Sequence, residues 1–400
     1  MLFYLLFFGL LYRYFRRYKS PVLNFILLFY VAASICGLLT HYFVEPDAYS
    51  TVLSVPFHLF CLYLFICPFI AYGKHERERE YILMDERRYK TLSWVLIILQ
   101  IFSVLFFAAD DIRLLIDGNF ASARNEALYG DIESNKSFFR TVAGVASYYY
   151  CFNILLFFYS LAFRKDSKKF LFLLIGSSLS RVFHSLNYVG RDGILFWILS
   201  FLFSYFLFSR YLEYDAKKIT KRIFLIFGSF AIVIMVLISI SRFGESDSGT
   251  FNSMISYFGK PLNNFGRLFD RYHEHNGGLK AFFPLLFGER GGSGAASIAN
   301  AESFYLRYGF YSNTFFTFIG NFYRAWGPFI TLIVSLFYGG YMTQRLNRKI
   351  ITMPTLIVLM FASQIILHNY FYWAYSIRVA NLFIFSLPLF IYYCRKRQKY

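Results

Sequence analysis

Long apolar runs alternate with short polar clusters along the whole chain, and many of the runs have the length of membrane helices. A helix rises 1.5 Å per residue, so crossing a hydrocarbon layer about 30 Å thick takes about 20 apolar residues. The pattern predicts eleven spans, at 1–12, 21–40, 52–72, 92–109, 141–163, 170–189, 194–209, 223–241, 327–344, 354–373 and 379–394, the first of them short. Neither an internal repeat nor a low-complexity linker divides the chain. The expectation is an all-α polytopic integral membrane protein with residues 1–400 as one membrane domain.

The polar clusters add orientation. Every second loop is rich in Lys and Arg: 13–19, 73–90, 164–169, 217–222, 345–349 and the tail 395–399. Cytoplasmic loops carry such an excess, so the reading places the N-terminus outside and the C-terminus inside. The external segments are then 41–51, 110–140, the corner 190–193, a long stretch 242–326, and 374–378. Within the long stretch, "LKAFFPLLFG" (279–288) is too short to span and predicts an interfacial or re-entrant helix.

Composition excludes several classes. Of 400 residues 57% are hydrophobic and 23% aromatic, which no ordinary soluble domain shows. The net charge of +18 is spread over short clusters between apolar runs, so no nucleic-acid partner is expected. Basic residues follow the first apolar run instead of preceding it, unlike a cleavable signal. The five cysteines lie in or at the ends of apolar runs, at spacings that suit neither a zinc site nor a disulfide framework. No metal or other cofactor is expected.

The candidate chemistry lies where arginines defy the charge rule. Arg191, Arg242, Arg324 and Arg378 each sit at the external end of a span. Arginine there suits an anionic partner, because its planar fork donates two hydrogen bonds and stays charged; it can also snorkel to lipid phosphates. In the sixth span Ser177, Arg181, His184, Tyr188 and Arg191 recur at helical spacing, which stacks them on one face with Arg181 about 15 Å below Arg191. An unpaired arginine at that depth costs at least about 2.5 kcal/mol, so Arg181 either faces a wet cavity or pairs with a buried carboxylate that locks two helices. Gln364 and His368 repeat the pattern in the tenth span. His368 reads either as a catalyst or as a hydrogen-bonded interior residue. Candidates to accept a proton from an attacking hydroxyl are Glu245, Asp247, His273, Glu274 and His368. Outside the cytoplasm a nucleotide sugar is not available, and a polyprenyl-linked sugar is the natural activated donor.

Three stretches carry a resemblance to the Wzy-type O-antigen polymerases, the oligosaccharide repeat-unit polymerases of bacterial surface glycans. "NYVGRDGILFWILSFLF" resembles the family's Gly-Arg-x-Gly corner entering a span, and "ISISRFGE" resembles the arginine that opens its large external loop. "SNTFFTFIGNFYRAWGPFITLIVSLFYGG" resembles the Asn-Thr, Gly-Asn-x-Tyr and aromatic-Gly sequence that closes it. Arg324 stands where the family has an acidic residue after Gly-Asn-x-Tyr, and Arg267 to Gly278 matches an Arg-x10-Gly pattern. The resemblance implies a GT-C-like fold in the bacterial inner membrane with its active site facing the periplasm. It implies transfer of a growing glycan from undecaprenyl pyrophosphate onto an incoming lipid-linked repeat unit.

On that reading Arg191, Arg242, His368 and Glu245 are catalytic. Arg181, Arg191, Arg242, Arg324 and Arg378 bind pyrophosphate, and Tyr188, Asn321, Tyr323 and Arg267 bind the acceptor sugar. Membrane lipids, a chain-length regulator and a flippase are the implied partners. An O-antigen ligase, a GT-C transferase using a polyprenyl-linked donor (with Glu45 and Asp47 as its acidic pair), a membrane O-acyltransferase and a lipid-linked oligosaccharide flippase remain open as alternatives.

Overall fold

The structure, a computed structural model, describes residues 1–44, 53–117, 137–243, 249–275, 277–287, 303–309 and 315–395. Among the described residues the main helices are Leu2–Phe15 (α1), Pro21–Phe43 (α2), Ser54–His75 (α3), Glu86–Asp117 (α4), Phe138–Tyr148 (α5), Tyr150–Tyr159 (α6), Lys168–Ser177 (α7), Ser180–Leu186 (α8), Asp192–Phe208 (α9), Tyr214–Phe243 (α10), Gly249–Arg271 (α11), Phe318–Leu346 (α12), Met353–Leu367 (α13) and Arg378–Cys394 (α14). Sheet among the described residues is confined to one parallel pairing of Glu80–Tyr81 (β1) with Ile350–Ile351 (β2). Each of the eleven apolar runs contains helix. Among the described residues six helical stretches are long and apolar enough to cross a membrane: Pro21–Phe43, Ser54–Glu78, Glu86–Arg113, Phe138–Arg164, Tyr214–Ile238 and Phe318–Leu346. Helices α9, α13 and α14 are apolar and shorter.

Two runs are less regular than their hydropathy. The run 170–189 breaks at Ser178–Leu179, between α7 and α8. The local cause is the serine cluster: Ser177 and Ser178 turn their hydroxyls back to the carbonyls of Leu174 and Ile175, competing with the helix for acceptors. Ser178 also accepts a 2.8 Å bond from the Trp197 indole, which ties the break to α9. In α12 the residue Gly327 adopts φ +76°, just before Pro328, and kinks the helix.

The long external stretch holds a larger element than expected. Residues 249–271 form a 23-residue helix, α11, packed against α2, α3, α10 and α12. Its composition reads as a loop because its contact face carries Gly and Asn. That face is what lets it approach α2: a Cβ at Gly259 would lie 2.5 Å from the Cys36 carbonyl oxygen and closer still to Thr40 Oγ1. Asn263 then donates to the Gly37 carbonyl at 3.1 Å. Small residues and an amide at a helix crossing are the usual means of close packing between membrane helices. By contrast, the expected helix at 279–288 is a single 3₁₀ turn, Leu279–Ala281, followed by turns to residue 287. Pro284 cannot donate a backbone bond, and Phe282 is instead anchored on Trp326, ring to ring at 4.4 Å.

The basic loops meet one another. Arg79 donates to the carbonyls of Tyr72 (3.0 Å), Leu346 (2.6 Å) and Arg348 (2.6 Å), tying the ends of α3 and α12 beside the β1–β2 pair. Arg164 donates to the Met84 carbonyl, Arg88 to Arg395, and Arg210 to Lys19, while Lys165 pairs with Glu213. Burial alone would raise the Asp166 carboxyl. Hydrogen bonds from Lys90, Ser160 and Tyr89 outweigh it and hold the group below the ordinary carboxylate value. The segments assigned to the other side also touch: Arg140 donates to Asn187, Asn381 to the Phe282 carbonyl, and the Trp373 amide to Asn321. The basic loops thus contact one another, and so do segments between them.

Candidate functional site

The corner between α8 and α9 is built from its glycines. A Cβ at Gly190 would lie 2.5 Å from Asp192 Oδ1, and one at Gly193 would lie 2.5 Å from the Arg181 carbonyl oxygen. Only glycine permits this approach of α9 to α8. Val189, buried just before, sits at φ +53°, a left-handed conformation that a β-branched residue rarely adopts. Strain of this kind persists where the surroundings over-determine it, and it concentrates at functional sites.

Asp192 is the centre of the corner. Its carboxylate faces Arg181 Nη2 at 3.1 Å, the Tyr372 hydroxyl at 2.9 Å, the Tyr188 hydroxyl at 3.1 Å and the Ser185 hydroxyl at 2.8 Å. It also stands in the first turn of α9, where the helix dipole favours a negative charge. Arg181 is equally enclosed. Its guanidinium lies 4.5 Å over the Tyr148 ring and 3.0 Å from His184 Nδ1, which in turn meets Ser147 Oγ at 3.0 Å. The face predicted for the sixth span therefore assembles in part, with Arg181, His184 and Tyr188 together. Ser177 turns away to bond Asn153. The expected ~15 Å offset of Arg181 below the corner does not hold, because the glycine turn folds Asp192 back onto it.

Next to this closed network, Arg191 is half-buried, with its guanidinium 4.9 Å above the Tyr257 ring of α11. Tyr257 packs on Phe315 (4.9 Å) and Phe371 (5.0 Å), and Phe315 stacks on Tyr372 at 5.9 Å, which returns to Asp192. Arg191 is thus presented on an aromatic wall from a backbone corner that the buried pair makes rigid. The corner opens α9, whose other end, about 24 Å away at 1.5 Å per residue, lies beside the basic loop at Lys19.

The other expected site residues do not all converge here. Arg324 lies over Phe304, which stacks on Tyr272 just past the end of α11. From Tyr257 to Tyr272 the chain runs roughly 22 Å at 1.5 Å per residue, so Arg191, near the middle of α11, and Arg324, near its C-terminal end, stand well apart. Arg378 is exposed at the first residue of α14, and Arg267 is half-buried on α11. Tyr323 is used internally, its hydroxyl bonding the carbonyls of Phe269 and Tyr272. Asn321 caps the Trp373 amide at 2.9 Å. His368 is 3% exposed, stacked 4.5 Å from Phe196, with Nε2 3.2 Å from Ser200 and Nδ1 3.3 Å from Tyr150. A substrate hydroxyl could reach it only by displacing one of these partners. Glu245 and Asp247 lie outside the described residues, and Arg242 is placed only by its backbone at the end of α10.

Sequence reasoning missed Tyr257, Tyr372 and Ser185, whose roles depend on long-range contacts that no spacing reveals. It also missed Asp111, buried toward the C-terminal end of α4 with neither oxygen bonded, one turn past Phe107, over whose ring Arg140 sits. Among the described residues no group of three His, Cys, Asp or Glu side chains could hold a metal ion. Compared with family models, curated proteins and solved structures, the chain matches none.

Proposed function

We propose that the chain is a glycan polymerase of the inner membrane, with eleven crossings in a GT-C-like arrangement. It joins undecaprenyl-pyrophosphate-linked oligosaccharide repeat units on the periplasmic face. The observation that carries this reading is the presentation of Arg191. A charged fork is held on an aromatic wall, at a rigid corner, at the end of α9 away from the basic loop at Lys19. Such a group suits a lipid-borne pyrophosphate whose sugar extends over the half-buried Tyr257 and Phe315 rings.

In the reaction the bond between the donor sugar's anomeric carbon and the pyrophosphate oxygen breaks, and the acceptor hydroxyl oxygen bonds to that carbon. The lipid pyrophosphate leaves with its new charge stabilised by Arg191, and Arg242 and Glu245, the candidates from the sequence, would supply a second cation and accept the hydroxyl proton. Arginine stabilises the developing charge as a pre-aligned hydrogen-bond donor. Arg181 serves this site by fixing Asp192 and hence the corner. His368, enclosed by Phe196, Ser200 and Tyr150, supports the packing of α9 on α13.

The test is purified chain in proteoliposomes supplied with a lipid-linked repeat unit. A ladder of product lengths supports polymerisation. A single addition, or transfer to another lipid acceptor, supports a ligase-type transferase. No glycosyl transfer under conditions that keep the protein folded refutes the reading.

A further inference from the structure

We infer that the basic face carries a site for one anionic phospholipid, in the groove between the α1–α2 corner and the end of α9. The groove measures about 510 Å³ and is lined by Arg16, Lys19, Pro21, Asn24, Phe25, Leu28 and Phe206. Phe25 and Phe206 form its wall, their rings 5.1 Å apart, and Leu28, 46% exposed, continues that wall along α2. Arg16 and Lys19 are exposed at its mouth, in the basic loop that precedes α2. Moving along α2 from Pro21, the groove passes from cations to rings to an exposed aliphatic side chain within about two helical turns. A phospholipid lying against the helix has the same order, phosphate first and acyl chain after it. Basic pockets between membrane helices on the positively charged side are the sites where acidic lipid head groups are held.

One buried polar atom sharpens the chemistry. Asn24 Oδ1, which lines the groove, is buried without a hydrogen-bond partner among the described residues. A buried donor or acceptor left unsatisfied is destabilising. An occupant that fits offers both an anionic oxygen near Arg16 and Lys19 and a donor to Asn24. A phosphatidylglycerol head supplies both, through its phosphate and its glycerol hydroxyls. Phosphatidylcholine has no donor. Phosphatidylethanolamine sets its ammonium against two cations, and no acid lines the groove to receive it.

A second basic groove, lined by Lys168, Lys169, Phe172 and Leu173, serves as an internal control. It has the same mix of lysine and apolar wall, but none of its lining residues has a buried polar atom without a partner. It is expected to hold lipid without regard to head group.

The experiment is native mass spectrometry of the full chain, stripped of lipid in detergent and given equal amounts of phosphatidylglycerol, phosphatidylethanolamine and phosphatidylcholine. The expected result is one phosphatidylglycerol retained at activation energies that remove the other two. Arg16→Gln combined with Lys19→Asn should reduce that retention about tenfold. Both side chains are exposed, and Asn tolerates the left-handed backbone at Lys19, φ +50°. Lys168→Gln with Lys169→Gln should leave retention unchanged. Asn24→Leu should erase the preference for phosphatidylglycerol over phosphatidylethanolamine while leaving the melting temperature within a few degrees. Equal retention of the three lipids, or retention unaffected by the Arg16/Lys19 pair, would overturn the inference. So would displacement of the adduct by millimolar inorganic phosphate, which would mark a site for a free anion.

Discussion

Arg181 and Asp192 face each other across the glycine corner at 3.1 Å, with 3% and 7% of their side chains exposed. Such a pair does little for net stability, since two desolvated charges offset much of their own attraction. Removing one partner is different, because the survivor is left charged in a water-poor interior. Arg181→Met should therefore cost about 3–5 kcal/mol. Adding Asp192→Asn to it should recover most of the loss. A double-mutant cycle of detergent melting curves measures this, and additive losses would show that the two side chains are not energetically coupled.

Arg191, one residue away, has a different expected phenotype. Arg191→Ala should leave the protein folded in the membrane but abolish long glycan products. One charge-assisted bond to a phosphate contributes about 1.5–3 kcal/mol, a factor of ten or more in rate. Arg191→Lys should restore only part, since an ammonium lacks the planar fork and stacks less well on Tyr257. Wild-type product ladders from the alanine variant would remove Arg191 from the mechanism.

The α2–α11 crossing depends on Gly259. Gly259→Ala should destabilise the chain by about 1–3 kcal/mol, the usual range for overpacking, because backbone atoms of Cys36 stand in the way. Gly9→Ala, where a Cβ meets nothing within 4 Å, should be neutral or slightly stabilising. Equal melting temperatures for the two variants would show that α11 does not pack on α2 as described.

Asp166 provides a pH test. Its folded pKa lies below the ordinary carboxylate value, so its stabilising contribution is present above about pH 4 and fades as pH falls through the lower folded value. Asp166→Asn should melt earlier than wild type at pH 7, with the gap closing as the pH is lowered toward 3. A gap that stays constant over that range would mean that the lost contacts, not the charge, are responsible.

The assignment of the two faces is testable with single cysteines in a background lacking the five native ones. Arg378→Cys should react with an impermeant thiol reagent applied to intact cells, and Glu80→Cys should react only after the membrane is opened. Both parent side chains are exposed, so access is not limited by packing. The opposite labelling pattern would invert the sides and move the Arg191 corner into the cytoplasm.

What the sequence determined by itself is the helical class. It follows from local composition: apolar runs must hydrogen-bond their own backbone in lipid. The glycine corner was legible too, since "GRDG" admits few conformations. What only the tertiary structure decided is how the polar residues within those runs are spent. Arg181 could have faced substrate or a carboxylate, and the choice of Asp192 depends on a turn that brings α9 back onto α8. His368 has the right chemistry for a catalyst, yet Phe196, Ser200 and Tyr150 converge on it from two other helices. Helix α11 read as a loop because its small and amide residues serve a crossing with α2, more than 200 positions away in the chain. Spacing along one segment specifies which side chains share a face. It carries no information about which face of which distant helix will meet them.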